Sequence, residues 1–273
     1  MAKFIPLQKN NTKVKRPISI TLCVLFILLS SFTNTRLLDN KIKVVVIDAG
    51  HGGKDPGSIS GGVKEKDITL AIVKKLGALI KKEYPTIKVY YTRLSDSFIE
   101  LGERGSIANR NNADLFISIH CNHSGNSTAH GSETYVMGTH KNATNLEVAK
   151  RENSAVLLEE DYKESYDGFD PNSPEGHIIF TFYQNAFREQ SIDFASKVES
   201  HLSKRKKTNK SRGVKEAGFI VLWKSAMPSV LIESGFISNP DERKYLKSDS
   251  GKVEFANAVF SAFKDYKKGV EKE

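Results

Sequence analysis

Residues 44–58 read VVVIDAGHGGKDPGS, a β-branched run that passes straight into a glycine-rich turn carrying His51. The run from Lys43 to Ile47 has the composition of a buried strand, and Gly50, Gly52 and Gly53 let the chain turn sharply after it. Downstream, Ile68, Ile72, Leu76 and Leu79 recur at nearly helical spacing, which predicts a helix over 68–79. Working outward, the pattern predicts a strand over 87–92, a helix over 101–111 and a third strand over 115–120. Further strands are expected at 131–137, 214–222 and 229–233, before a closing helix at 251–266. Strands alternating with helices imply an α/β fold in a single domain: a mixed, mostly parallel twisted sheet with helices on both faces.

The ends of these elements carry the chemistry. His51 follows the first strand, His120 ends the third in LFISIHCNHS (115–124), and Glu233 ends the last in PSVLIESGFISNPDE (228–242). Glu65 precedes the first helix in GGVKEKDITLAI (61–72), where Asp67 reads as the helix N-cap. In open α/β sheets ligands bind at the carboxyl ends of strands, so these segments are expected to converge on one edge. Two imidazoles and two carboxylates there form the parts list for metal-assisted hydrolysis: three protein ligands leave a position for water, and the fourth group moves protons. A mixed nitrogen and carboxylate set with one open position suits one zinc ion per chain.

Of the 273 residues, 39% are hydrophobic and 27% charged, as in an ordinary globular chain. Residues 1–38 hold six basic side chains and no acidic one, and without them the formal charge falls from +9 to +3. The basic stretch precedes an uncharged run from Ile18 to Phe32, which reads as a cleaved export signal, with retention as an N-terminal anchor the alternative. Membrane contact is then expected only through an uncleaved leader, and the destination is the periplasm or cell envelope. Export and the near-balanced remainder argue against a nucleic-acid partner. Cys23 lies in the leader, so Cys121 has no internal disulfide partner, and strand alternation points it away from His120.

From 43 to 266 the chain resembles the zinc-dependent N-acetylmuramoyl-L-alanine amidases that include the bacterial cell-division amidases. The resemblance is carried by D-x-G-H-G-G-x-D-P-G at Asp48, G-x-x-E-K-D at Gly62, TRLSD at Thr92 and L-x-x-R-x-x-x-A-N at Leu101. It continues through S-I-H-x-N at Ser118, AHGSETY at Ala129 and MPSVLIESGFISNPDE at Met227. It implies that residues 39–270 form a catalytic domain in which His51, Glu65 and His120 hold zinc and Glu233 is the catalytic carboxylate. The implied substrate is peptidoglycan, cut at the amide between N-acetylmuramic acid and L-alanine, in wall remodelling or daughter-cell separation. Another zinc peptidase of the wall, or a wall-binding regulator without catalysis, would share much of this pattern.

Residues 139–191 interrupt the match and contain ENSAVLLEEDYKESYDGFDPNSPEG (152–176). An amphipathic helix is expected over 145–158 and a longer one over 178–201. The resemblance implies that such an insert covers the zinc cleft until an activator protein displaces it. Glu159, Glu160 and Asp161 are the expected source of a blocking carboxylate, with a solvated acidic patch as the alternative. Arg93 and Arg104 are expected to form ion pairs under the sheet edge, with substrate carboxylates as the alternative partners, and the basic run 204–212 reads as a solvated loop, with docking on an anionic envelope surface as the alternative.

Overall fold

Every residue of strand β5, Leu115–Asn122, is buried, and so is every residue of β8, Ser229–Phe236, as expected for strands covered on both faces. The computed structural model describes Met1 and residues 41–171, 173, 176, 186–205 and 210–272. The leader expected at 1–38 lies, apart from Met1, outside the described residues, as does the first part of the helix expected at 178–201.

Six strands form one sheet in the order β4, β1, β5, β8, β6, β7, where β1 is Val44–Ala49, β4 Lys88–Tyr91, β6 Ser132–Met137 and β7 Ser211–Ala217. All neighbours are parallel except β6 and β8. Carboxyl ends of β1, β5 and β8 therefore meet the amino end of β6 at one edge. A hairpin of β2 (Ile59–Ser60) and β3 (Val63–Lys64) lies between β1 and helix α1, Glu65–Glu83.

Period-two alternation divides the core. Val45, Ile47, Ile117, Ile119, Val230 and Ile232 face one layer, packed with Ile68, Ile72 and Leu76 of α1. The same layer holds Phe194 of α5 (Arg188–Leu202) and Phe255, Val259 and Phe263 of α7 (Asp249–Val270). Val46, Phe116, Tyr135 and Leu231 face the other layer, with Leu101 and Ala108 of α2 (Leu101–Arg110) and Val148 and Ala149 of α3 (Ala143–Asn153). Asp48, Ser118, His120 and Glu233 share the parity of this second layer, whereas Cys121 packs in the first.

Several boundaries differ from the sequence reading. The first helix starts at Glu65 with Lys64 as N-cap, so Asp67 lies within its first turn instead of capping it. The single helix expected over 145–158 is α3 followed by a 3-10 segment, Ser154–Leu158, and α4, Tyr162–Ser165, comes after it. The strand expected over 214–222 ends at Ala217, and Ile220–Leu222 is a 3-10 turn. Asn239 caps α6, Pro240–Lys247, by accepting from the amides of Asp241 and Glu242.

Candidate metal centre

His51 sits in the turn after β1 with φ 62°, a backbone conformation uncommon outside glycine. Two buried arginines hold that turn through its carbonyls. Arg104 donates to the carbonyl oxygens of Ala49 and His51, and Arg93 to those of Ala49 and Gly50. Arg104 also forms the expected buried ion pair, 2.9 Å from Asp48, whose other oxygen accepts from Ser118. Gly50 has no room for a side chain, since an added Cβ would lie 2.5 Å from the His120 ring.

Asp55 Oδ2 lies 2.8 Å from His51 Nδ1, which leaves Nε2 to face the sheet edge. Glu65 is the first residue of α1, and its carboxylate is fixed by the amides of Cys121 (2.7 Å) and Ser58 (2.9 Å). His120 presents Nδ1 from the second face of β5. The structure thus brings the three residues together, with 3.0 Å from Glu65 Oε1 to His51 Nε2 and 3.3 Å to His120 Nδ1.

A fourth group completes the cluster. Glu152, at the end of α3, places Oε2 3.2 Å from His51 Nε2 and 2.9 Å from His120 Nδ1. The ligand atoms of all four residues lie within 4.8 Å of one another. Tetrahedral coordination with bonds of about 2.0–2.2 Å would separate ligand atoms by roughly 3.3–3.6 Å, close to these spacings. His51 Nε2, His120 Nδ1 and Glu152 Oε2 are buried without a hydrogen-bond partner, although they crowd together. With neutral imidazoles the cluster carries two carboxylate charges, which one divalent cation balances. The donor set therefore fits zinc.

The electrostatics of the four groups alone reveal the same need. Burial disfavours charge on every member, yet the carboxylates push His51 well above its ordinary pKa and His120 up to about 9. Burial is the largest influence on Glu65 and would raise it, but the charge on His51 and the contacts with the His120 and His51 rings together outweigh it and bring the carboxyl down to about 2. Without a cation, these rings are drawn into charging to neutralise the acids.

Glu233 stands beside this cluster, not in it. Its backbone pairs with His120 on one side and Glu133 on the other, so two buried glutamates face one another across β8 and β6. Glu233 Oε1 is 3.4 Å from the Arg151 guanidinium, and Oε2 is buried with no partner. Burial first, then the charge on Glu152, raises its carboxyl well above the ordinary value. Arg151 also binds Glu152 Oε1, Asn122 Oδ1 and the His123 carbonyl, so α3 grips both the cluster and Glu233.

Of the insert's acids, the one that lies in the cluster is Glu152, not Glu159, Glu160 or Asp161. Glu159 accepts from the amide of Leu101 and the hydroxyl of Tyr166, both at 2.8 Å, and so satisfies the start of α2; Glu160 and Asp161 are exposed. The sequence did hold a signal for Glu152: it continues the buried helical spacing of Asn145, Val148 and Ala149, where an acid is out of place. Asp55 and Arg151 carry no comparable pattern signal, and only the fold sets them beside His51 and Glu233.

The family model for N-acetylmuramoyl-L-alanine amidase matches residues 45–265, a span that takes in all four cluster residues and Glu233. The chain belongs to this family. It is 34% identical over 227 residues to N-acetylmuramoyl-L-alanine amidase AmiC of Escherichia coli O6:H1, covering 82% of this chain and 52% of the relative. This chain thus spans about half the length of that relative. Among solved structures it resembles the N-acetylmuramoyl-L-alanine amidase AmiC2 of Nostoc punctiforme, with a TM-score of 0.61 and 28% identity, covering 82% of this chain and 96% of that one. It is also similar to the CwlD amidase of Clostridioides difficile in complex with the GerS lipoprotein, with a TM-score of 0.60 and 26% identity, covering 82% of this chain and 98% of that one.

Proposed function

We propose that this chain is a zinc-dependent hydrolase of peptidoglycan that cuts the amide between N-acetylmuramic acid and the L-alanine of the stem peptide. Family membership supports the reaction, and the observation that carries it is the buried cluster of His51, Glu65 and His120 with Glu233 at its side. His51, Glu65 and His120 would hold the ion. Zinc, when bound there, polarises the scissile carbonyl and acidifies a water molecule.

Glu233 supplies the proton traffic. Its Oε2 takes the proton from the attacking water, and the buried carboxyl then returns it to the departing amine. Asp55 fixes the tautomer of His51, and the arginine-bound turn fixes its direction.

The insert closes this site. Glu152 occupies the fourth position of the cluster and Arg151 ties up Glu233, so α3 excludes water and substrate until it is lifted away. A partner that lifts it is the expected activator, and the CwlD–GerS complex offers a precedent for a family member bound to another protein. Residues 39–270 would form the catalytic domain and 139–191 the gate. Export rests on the basic and apolar pattern of the leader. No helix among the described residues is long and apolar enough to cross a membrane.

The test is zinc content and wall digestion measured together for Glu233→Gln. The variant should keep one zinc per chain and lose roughly a hundredfold or more of turnover. Full activity would remove Glu233 from the mechanism.

A further inference from the structure

Strand β7 departs from regular pairing at one point, and the departure aims an arginine at the site. Ser211 pairs with Ser132 and Val214 with Thr134, so Arg212 and Gly213 together face the single residue Glu133. This is a β-bulge, with Gly213 at φ +83°. Regular alternation would put Arg212 on the same face as Val214, which packs against the first core layer. The extra residue moves Arg212 to the face of Lys215 instead, and both bind the buried carboxylate of Glu133.

Arg212 is held but not saturated. Its Nε donates to Glu133 Oε1 at 2.9 Å, and its guanidinium lies over the Phe236 ring at 5.2 Å. Among the described residues its two terminal nitrogens make no hydrogen bond, and its side chain is 27% exposed. The fork lines a cavity of about 500 Å³ between the sheet and α3, together with Asn122, Glu133, Val148 and Phe236. His123 and Arg151 line both this cavity and one of about 480 Å³ that contains His51 and Glu152. Arg151, which contacts Glu233, lines both hollows from α3, so lifting α3 would join them beside Glu233.

Resting on the amidase reading above, we propose that Arg212 anchors a subsite for a carboxylate on the peptide side of the substrate. A guanidinium fork matches a carboxylate in a two-point contact. Glu133 borders the same cavity from the sheet and disfavours a more highly charged group such as a phosphate. Position follows from the sheet. Arg212 stands two strands from Glu233, about 10 Å at about 4.8 Å per strand. That span corresponds to about two or three residues of extended peptide, so the carboxylate belongs to the second or third residue beyond the amide that is cut.

The experiment compares two soluble glycopeptides that differ only in whether that residue carries a free carboxylate or its amide. The enzyme is the zinc-loaded full chain, as wild type or Glu152→Ala, whichever turns over faster, with and without Arg212→Gln or Arg212→Lys. The parent should favour the free carboxylate through KM by roughly ten- to a hundredfold. Arg212→Gln should abolish that preference by raising KM for the acidic substrate alone, with kcat held within about twofold, and Arg212→Lys should keep part of it. A parent indifferent to the carboxylate would overturn the subsite without needing any variant. So would an Arg212→Gln form that loses activity equally on both substrates, because propping up Glu133 would explain it. Cleavage of neither substrate by the zinc-loaded parent, nor by a Glu152→Ala chain carrying Arg151→Ala so that α3 loses its hold on the cluster and on Glu233, would instead overturn the amidase reading itself, and the subsite with it.

Discussion

The two halves of the metal centre are built to different standards. His51, Glu65 and His120 come from the strand edge and the first turn of α1, while Glu152 comes from α3 in the insert. On the sheet side, Asp48, Arg93 and Arg104 lock the backbone under the ligands with buried, charge-assisted hydrogen bonds. α1 anchors itself with Ile68, Ile72, Val73, Leu76 and Ile80, all buried. α3 buries only Val148 and Ala149 as apolar side chains, and leans on Asn153, which bonds the Gly218 carbonyl and the Ile220 amide. At about 1.5–3 kcal/mol for each large apolar side chain, α1 is fastened far more strongly than α3. The difference supports the proposal that the three sheet-side groups stay in place while Glu152 is removable with α3.

The sharpest way to break the contrast is Arg104→Ala. It leaves Asp48 buried and unpaired and should destabilise the domain by about 3–5 kcal/mol, read from denaturant midpoints. A loss under about 1 kcal/mol would mean the sheet side is not locked as described. Next is Asp55→Asn, which keeps the shape but weakens the hold on His51; zinc affinity should fall roughly 10–100-fold by competition with a chelator, with folding stability little changed. Unchanged affinity would deny Asp55 its orienting role. Smallest is Glu159→Ala, which should cost about 1 kcal/mol through the start of α2 and leave zinc affinity untouched. A change in zinc affinity there would move the blocking carboxylate back towards the 159–161 run.

Those outcomes bear on what a sequence can reveal. The strands were legible because β1, β5 and β8 are apolar runs buried on both faces, which few other structures tolerate. His51 and His120 were legible as residues after or near strand ends, since a parallel sheet gathers its carboxyl ends at one edge, whereas β8 runs on to Phe236 and carries Glu233 within it. Glu152 was legible only as an acid on the buried spacing of a helix; that it reaches the cluster depends on the path of the insert. Arg212 was hidden for another reason. It lay in a basic run that reads as solvated loop, and only the bulge at Gly213 turns it to the site face. Apolar spacing alone starts the helix at Ile68 and makes Asp67 its cap, whereas the hairpin of β2 and β3 starts it at Glu65.

Zinc titration into metal-free full chains, wild type against Glu152→Ala, with wall digestion followed on the same samples, tests the division most directly. Both should take up one zinc per chain, the variant at least roughly tenfold more weakly and with faster digestion. A variant that takes up no zinc would show that three sheet-side groups are insufficient. One that binds as tightly and digests no faster would show that Glu152 neither holds the ion nor guards it.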